Sequence, residues 1–295
     1  MEAGTRALSG APIAESLLAE VRATLARAPP GSRPPTLASV HLRSDGPFEV
    51  YRRRQERTAA SLGIRFRDEP IDPPAGPAAL AARVEALAGD PSVHAILVEH
   101  PLPPPFDARE AMERIPLAKD VDGLSAGSLG RLWRGVPVHV PAVARAVAAI
   151  VDHYGLIASG DRAVVIGRSD TVGLPIAHLL LARGRDATVT VAHSRTPDLA
   201  TATVGARLVV GCVGRPGLLD RRVVPRGAAV VDVGLSTVPD PERPGRSRSI
   251  GDADAAVLDG WAGALTPVPG GVGPVTVASL MGNVARAWAR QEGLP

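Results

Sequence analysis

The apolar positions fall into short runs of two kinds, and the two kinds alternate along the chain. From Ala11 to Ala28 the spacing is helical, with Ile13, Leu17, Leu18, Val21 and Leu25 on one face. Prolines 29, 30, 34 and 35 end that helix, and Leu37 to Leu42 reads as a strand. Ser44 to Pro47 is a turn that opens a helix running to Leu62 and closed by Gly63. A short strand at Ile64 to Phe66, a helix at Pro77 to Ala88 and a strand at Ala95 to Val98 follow. Prolines 101, 103, 104 and 105 then impose an extended turn.

A helix at Ala142 to His153 leads into a second alternating block. Its strands are expected at Ala163 to Ile166, Thr188 to Ala192, Leu208 to Val210 and Ala229 to Val233, with a helical pattern starting near Val172. Pro239 to Arg248 is rich in proline and arginine and is expected to be an exposed loop. Thr266 to Pro274 reads as a rigid, glycine-turned loop, and Val275 to Arg290 as a long closing helix. No internal repeat or low-complexity tail is present. This alternation predicts an α/β protein, with parallel sheets covered by helices.

Composition narrows the picture. A chain of 295 residues is long enough for two domains, each with its own core. No apolar run approaches the ~18 residues of a membrane span, and Met1 to Ala11 lacks the basic-then-apolar layout of a signal peptide. The single cysteine, Cys212, excludes an internal disulfide and fits a reducing cytosol. It lies in the apolar run Leu208 to Val213, which reads as a buried structural thiol. The formal charge is only +3, and the basic residues are dispersed. A nucleic-acid partner is therefore not expected, and Arg52, Arg53 and Arg54 read as a solvated helix face. Lys119 is the only lysine.

The stretch Ala163 to Pro175 carries the first chemistry. Four apolar residues end at Gly167, and a helix starts shortly after. A strand, a glycine turn and a helix N-terminus together make an anion site, with backbone N–H groups and the helix dipole facing a diphosphate. The spacing is Gly167, Ser169, Gly173 rather than G-x-G-x-x-G. Taken alone it fits a dinucleotide site and a plain strand-to-helix turn equally. The second strand ends in His193, Ser194, Arg195 and Thr196. An NAD-reading unit places an acidic residue there for the ribose 2′-OH. Arg195 with Ser194 and Thr196 suits a 2′-phosphate instead, and therefore NADP.

Four segments together resemble the bifunctional methylenetetrahydrofolate dehydrogenase/cyclohydrolase family. They are Val165 to Ser169 with Val172 and Gly173, Lys119 to Gly123, Val231 to Gly234, and Thr266 to Pro274. The resemblance runs from about Ala7 to Glu292 and implies a split fold. An α/β catalytic domain over 1–140 carries the folate cleft and is completed by the C-terminal helix, 274–295. A Rossmann-type domain over 141–273 binds NADP. Members are usually homodimers and need no metal. The implied reaction moves a hydride from the methylene bridge of tetrahydrofolate to the nicotinamide, leaving a methenyl cation that water then opens. The implied catalytic set is Tyr51, Gln55, Glu99 and Asp122, with Tyr51 stacking on the folate and Asp122 hydrogen-bonding the pterin. His100, Pro269, Gly270 and Gly271 would line the substrate. Gly167, Arg168, Ser169, Val172, Gly173, Ser194, Arg195, Thr196, Val213 and Gly214 would hold the cofactor. Purely structural alternatives stand beside two of these: Tyr51 packing on the sheet, and Asp122 forming an Asx turn before Gly123.

The departures from the family pattern gather on the folate cleft. The family places a catalytic lysine four residues after the tyrosine, on the same helix face; here that residue is Gln55. The family glutamine at the end of the Ala95 to Val98 strand is Glu99, and the leucine after it is His100. The segment Val138 to Pro141, Ser128 and Phe48 also differ. An ammonium is lost and a carboxylate gained. A unit charge at about 4 Å and an effective dielectric of about 20 is worth about 4 kcal/mol, so the change favours a cationic group in the pocket. Arginines 52 to 54 cannot replace the lysine, because a guanidinium does not cycle a proton. A salt bridge from Glu99 to Arg52 or Arg53 is the alternative use of that carboxylate, and His139 reads as a hydrogen bonder at a helix start. The expected activity is a dehydrogenase with cyclohydrolase activity weak or lost, with Glu99 or His100 as the alternative base for water addition. The alternatives are the same scaffold acting on another cyclic imine, iminium or amine, or an inactive NADP-binding paralogue.

Overall fold

The computed structural model describes residues 4–43, 47–240, 243 and 247–294, and the side chains of 47–50 lie outside that description. In chain order the strands are β1 (Arg6–Ala7), β2 (Thr36–Leu42), β3 (Arg65–Ile71), β4 (Ala95–Val98), β5 (Arg162–Ile166), β6 (Thr188–Ala192), β7 (Leu208–Gly211), β8 (Ala229–Asp232), β9 (Ser236–Pro239), β10 (Ser247–Ile250) and β11 (Ala264–Leu265). The helices are α1 (Ala11–Leu25), α2 (Pro47–Ser61), α3 (Gly76–Gly89), α4 (Ala108–Met112), α5 (Ala126–Trp133), α6 (Ala142–Tyr154), α7 (Gly173–Leu181), α8 (Leu199–Thr203), α9 (Ala255–Leu258) and α10 (Val272–Gln291).

The chain divides into two units. One comprises Ser16–Ala142 with Val277–Pro295. Its sheet has the order β3-β2-β4, parallel throughout. Both faces are covered, so β2 and β4 are buried at nearly every position. On one face Leu37, Ala95 and Leu97 pack with Ala59, Leu62, Leu280, Met281 and Val284. On the other, Ala38, Val40, Ile96 and Val98 pack with Leu80, Val84 and Leu87 of α3. The two-residue period of the strand assigns each side chain to its face.

The other unit comprises Met1–Glu15 with Val143–Thr276. Its six-stranded sheet runs β1-β11-β8-β7-β5-β6, again with parallel pairings. From β5 the chain passes to β6 on one side, then returns to β7 on the other. This reversal puts the switch point of a doubly wound sheet at the carboxyl end of β5, where such sheets bind ligands.

Three expectations need correction. A first domain starting at residue 1 does not match the contacts, because β1 pairs with β11 and brings the first fifteen residues into the other unit. The expected loop from Pro239 to Arg248 is flanked by strands: β9 and β10 pair antiparallel, with Val238 opposite Arg248. Residues 241–242 and 244–246 lie outside the described residues. The closing helix begins at Val272, inside the expected rigid loop. Pro274 is tolerated there because first-turn N–H groups have no intrahelical partner. Among the described residues no helix is long and apolar enough to cross a membrane.

Candidate functional site

The substrate-side residues are set by α2, the end of β4 and the turn before α5. Tyr51 and Gln55 stand one helical turn apart on α2. Tyr51 is half-buried against the Leu37 cluster. Gln55 is fully buried, and neither its Oε1 nor its Nε2 makes a hydrogen bond. Its amide nevertheless lies near enough to Tyr51 and Glu99 to favour their charged forms.

Glu99 follows β4 directly. Its N–H donates to the carbonyl of Val40 at 2.9 Å, and its Oε1 accepts the Ser39 hydroxyl at 3.2 Å. Burial, and then the charge of Asp122, push the Glu99 carboxyl above its ordinary range, against the Ser39 and Gln55 contacts. Burial also raises Asp122. His100 and the N–H of Ala142 oppose that shift, while Asp120 adds to it. The Tyr51 phenol is pushed up by burial, then by Glu99 and Asp122, so it stays a neutral donor. The structure therefore brings Tyr51, Gln55, Glu99, His100 and Asp122 within one electrostatic cluster. Arg52 pairs with Asp68 at 2.6 Å.

The cofactor-side residues lie at the switch point. Gly167 has φ of 133°, and a Cβ there would strike the Cys212 sulfur. A Cβ on Gly173 would strike the carbonyl of Gly167. The turn thus closes only with hydrogen at both positions. Ser169 Oγ accepts the N–H groups of Val172 at 3.1 Å and Gly173 at 3.3 Å, which meets two open donors at the start of α7. Ile166 is paired with Ala192, so the turns after β5 and β6 are neighbours. The second turn is fixed by the His193 N–H donating to Thr196 Oγ1 at 2.9 Å and the Arg195 N–H to His193 Nδ1 at 3.1 Å. Arg168, Ser194 and Arg195 are exposed there. The buried Asp252 carboxylate accepts the N–H groups of Val213 at 2.8 Å and Arg215 at 2.5 Å, which seats Gly214 at φ of 66°. Asp232 in turn accepts the N–H groups of Gly234, Asp252 and Ala253. Cys212 donates to the Ile166 carbonyl, and burial pushes its thiol up to about 12, so it is not a nucleophile. A cradle that any side chain would fill, at the switch point and beside exposed arginines, fits a dinucleotide.

Comparison with known families decides between a dinucleotide site and a plain turn. Residues 141–292 match the model for the tetrahydrofolate dehydrogenase/cyclohydrolase NAD(P)-binding domain, and residues 8–122 match that for the catalytic domain of the same family. The chain belongs to this family. It is 46% identical to the bifunctional protein FolD of Parafrankia sp. over 253 residues, 86% of this chain and 88% of that one. The methylenetetrahydrofolate dehydrogenase-cyclohydrolase of Trypanosoma brucei, solved with NADP cofactor and inhibitor, superposes with a TM-score of 0.90. It is 34% identical, with 98% of each chain covered. The bifunctional enzyme of Thermoplasma acidophilum gives 0.86 at 35% identity, covering 98% of this chain and 100% of that chain. The protein is accordingly an oxidoreductase of the NAD(P)-dependent methylenetetrahydrofolate dehydrogenase type.

Within this family member, the departures from the pattern separate into cleft and scaffold. Lys119 donates to the carbonyls of Ala88 at 2.9 Å and Asp90 at 2.7 Å, which caps α3. Asp120, fully buried, accepts from Gly123, Leu124, Ser125 and Ser128, so Ser128 is part of that loop's scaffold. His139 is buried with Nε2 on the Ala118 carbonyl at 3.2 Å. Pro269, Gly270 and Gly271 belong to the other unit. There the Gly10 N–H donates to the Gly270 carbonyl at 2.8 Å, and Gly271 fits only without a Cβ against Thr266 and Pro267. The Phe48 side chain lies outside the described residues. Ser39 was missed from the sequence. Its signal was a small hydroxyl between the apolar residues Ala38 and Val40 in the middle of a buried strand.

Proposed function

We propose that this protein is an NADP-dependent 5,10-methylenetetrahydrofolate dehydrogenase in which the cyclohydrolase step is weak or lost. The observation that carries this reading is the buried cluster of Tyr51, Gln55, Glu99 and Asp122, with an amide where the family has an ammonium. The chain's one lysine is engaged at the end of α3.

The cofactor, when bound, accepts a hydride. The turn at Gly167 and Gly173 receives the diphosphate, and Arg195, Ser194 and Thr196 receive the 2′-phosphate. Val213 and Gly214, seated by Asp252, line the same site. On the substrate side Tyr51 stacks against the pterin and donates from a phenol that does not ionise. Asp122 accepts hydrogen bonds from the pterin ring. Glu99 lowers the energy of positive charge as it develops on the one-carbon bridge, which is an electrostatic contribution to the transition state. Water attack on the methenyl carbon requires a group that cycles a proton, and the amide of Gln55 cannot do so.

A homodimer in the cytoplasm is the assembly that fits this reading.

The test is direct transfer. Substrate deuterated at the methylene bridge should give deuterated NADPH with the purified protein. Reduced nicotinamide without deuterium, or none at all, would overturn the assignment.

A further inference from the structure

Ser39 occupies an unusual place. It is fully buried on β2, on the face it shares with Leu37. A hydroxyl there needs a partner. The register supplies one. Ser39 lies opposite Leu97 on β4, and Glu99 stands two residues further along the same face. The diagonal neighbour of Ser39 is therefore Glu99, and the hydroxyl donates to Oε1 at 3.2 Å. From α2, Gln55 brings an amide whose oxygen and nitrogen are both buried and unpartnered. Buried polar atoms without partners beside a fixed carboxylate are the mark of a site completed by a ligand.

We propose that Ser39 is a positioning residue that holds the Glu99 carboxylate to receive a delocalised N–C–N cation, so that the cleft favours the oxidised, amidinium form of the one-carbon bridge over its neutral reduced form. This deepens the dehydrogenase reading and rests on it. The groups facing Glu99 are Asp122 and His100 with Tyr51 and Gln55 of α2, and Arg54 acts on Tyr51. Two carboxylates, with the chain's one lysine engaged at the end of α3, leave a site that a cation relieves. Burial and Asp122 press a proton onto Glu99, and the Ser39 hydroxyl resists this. Loss of that hydroxyl makes Glu99 protonate at higher pH, and the neutral acid no longer attracts the cation.

The experiment is calorimetric titration of the full-length protein with 5,10-methenyltetrahydrofolate, and with tetrahydrofolate as the control that lacks the cationic bridge, from neutral pH downward over the range in which the protein stays folded. Wild-type protein should bind the methenyl compound less tightly as pH falls, with no matching midpoint for tetrahydrofolate. Ser39→Ala should move that midpoint upward and weaken methenyl binding by about tenfold, the worth of one hydrogen bond to a charged group. Ser39→Thr should restore both. Glu99→Gln should abolish the midpoint and the preference together. An unmoved midpoint in folded Ser39→Ala, or equal affinity of wild-type protein for the two folates, overturns this proposal while leaving the dehydrogenase reading intact. Failure of wild-type protein to bind either folate overturns both.

Discussion

Lys119 donates its ammonium to the carbonyl of Asp90 at 2.7 Å. The contact closes the open end of α3, and it commits the only lysine in the chain to scaffold. Gln55, at the position of the family lysine, meets no hydrogen-bond partner. Gln55→Lys should therefore create water-addition activity, by about a hundredfold or more over the parent, because a positioned proton carrier contributes ~10²–10⁴. Hydrolysis of methenyltetrahydrofolate, measured against the buffer rate, checks this. No gain in the folded variant would mean that the missing ammonium is not what limits the step.

Cofactor preference should rest on Arg195. Its backbone is held by His193 and its side chain is exposed at the end of β6. Arg195→Ala should weaken NADP binding by about tenfold to a hundredfold, the range for a lost charge-assisted contact, and leave NAD binding nearly unchanged. Equal losses for both dinucleotides would place the 2′-phosphate elsewhere.

The glycine turn gives a steric expectation. Gly173→Ala would set a methyl group against the Gly167 carbonyl. Overpacking of this kind costs about 1–3 kcal/mol. The variant should melt lower and bind NADP more weakly. A wild-type melting temperature with normal NADP affinity would show that the close approach of the two glycines is not needed.

His139 supplies a pH dependence. Burial lowers its pKa to about 4, against the carbonyl contact of Ala118. The folded value lies below the unfolded ~6.5, so the unfolded chain binds the extra proton between them. The histidine contribution is complete above about pH 6.5 and falls as pH drops toward 4, by about 3 kcal/mol in all. Denaturant unfolding of His139→Gln should show a shallower loss of stability over that window than wild type. Parallel curves would mean that His139 takes its proton as readily folded as unfolded.

Much of the fold was legible in local pattern. Ala95–Val98 and Thr188–Ala192 are short runs bounded by turn residues, and the structure has both strands at those bounds. The elements that escaped depend on distant partners. Arg6–Ala7 is a strand only because Ala264–Leu265 lies beside it. Two residues carry no period. The hairpin arms at Ser236–Pro239 and Ser247–Ile250 were hidden by the proline- and arginine-rich composition of the sequence between them. In the candidate site, Tyr51, Gln55 and Glu99 were reached through the family resemblance, with the i, i+4 spacing placing the first two on one helix face. Ser39 could not be joined to Glu99 without the register of β2 against β4, which no local pattern encodes. Lys119 was read as part of a motif, whereas the structure shows the helix end that it caps.

The most direct measurement follows one reaction at two absorbances. Purified protein is given NADP and 5,10-methylenetetrahydrofolate, and reduced nicotinamide and methenyl product are recorded together. The expected result is equal formation of both, with the methenyl signal then decaying only at its rate in buffer. Absence of NADPH, or NADPH formed while the methenyl signal is removed faster than in buffer, would contradict the account.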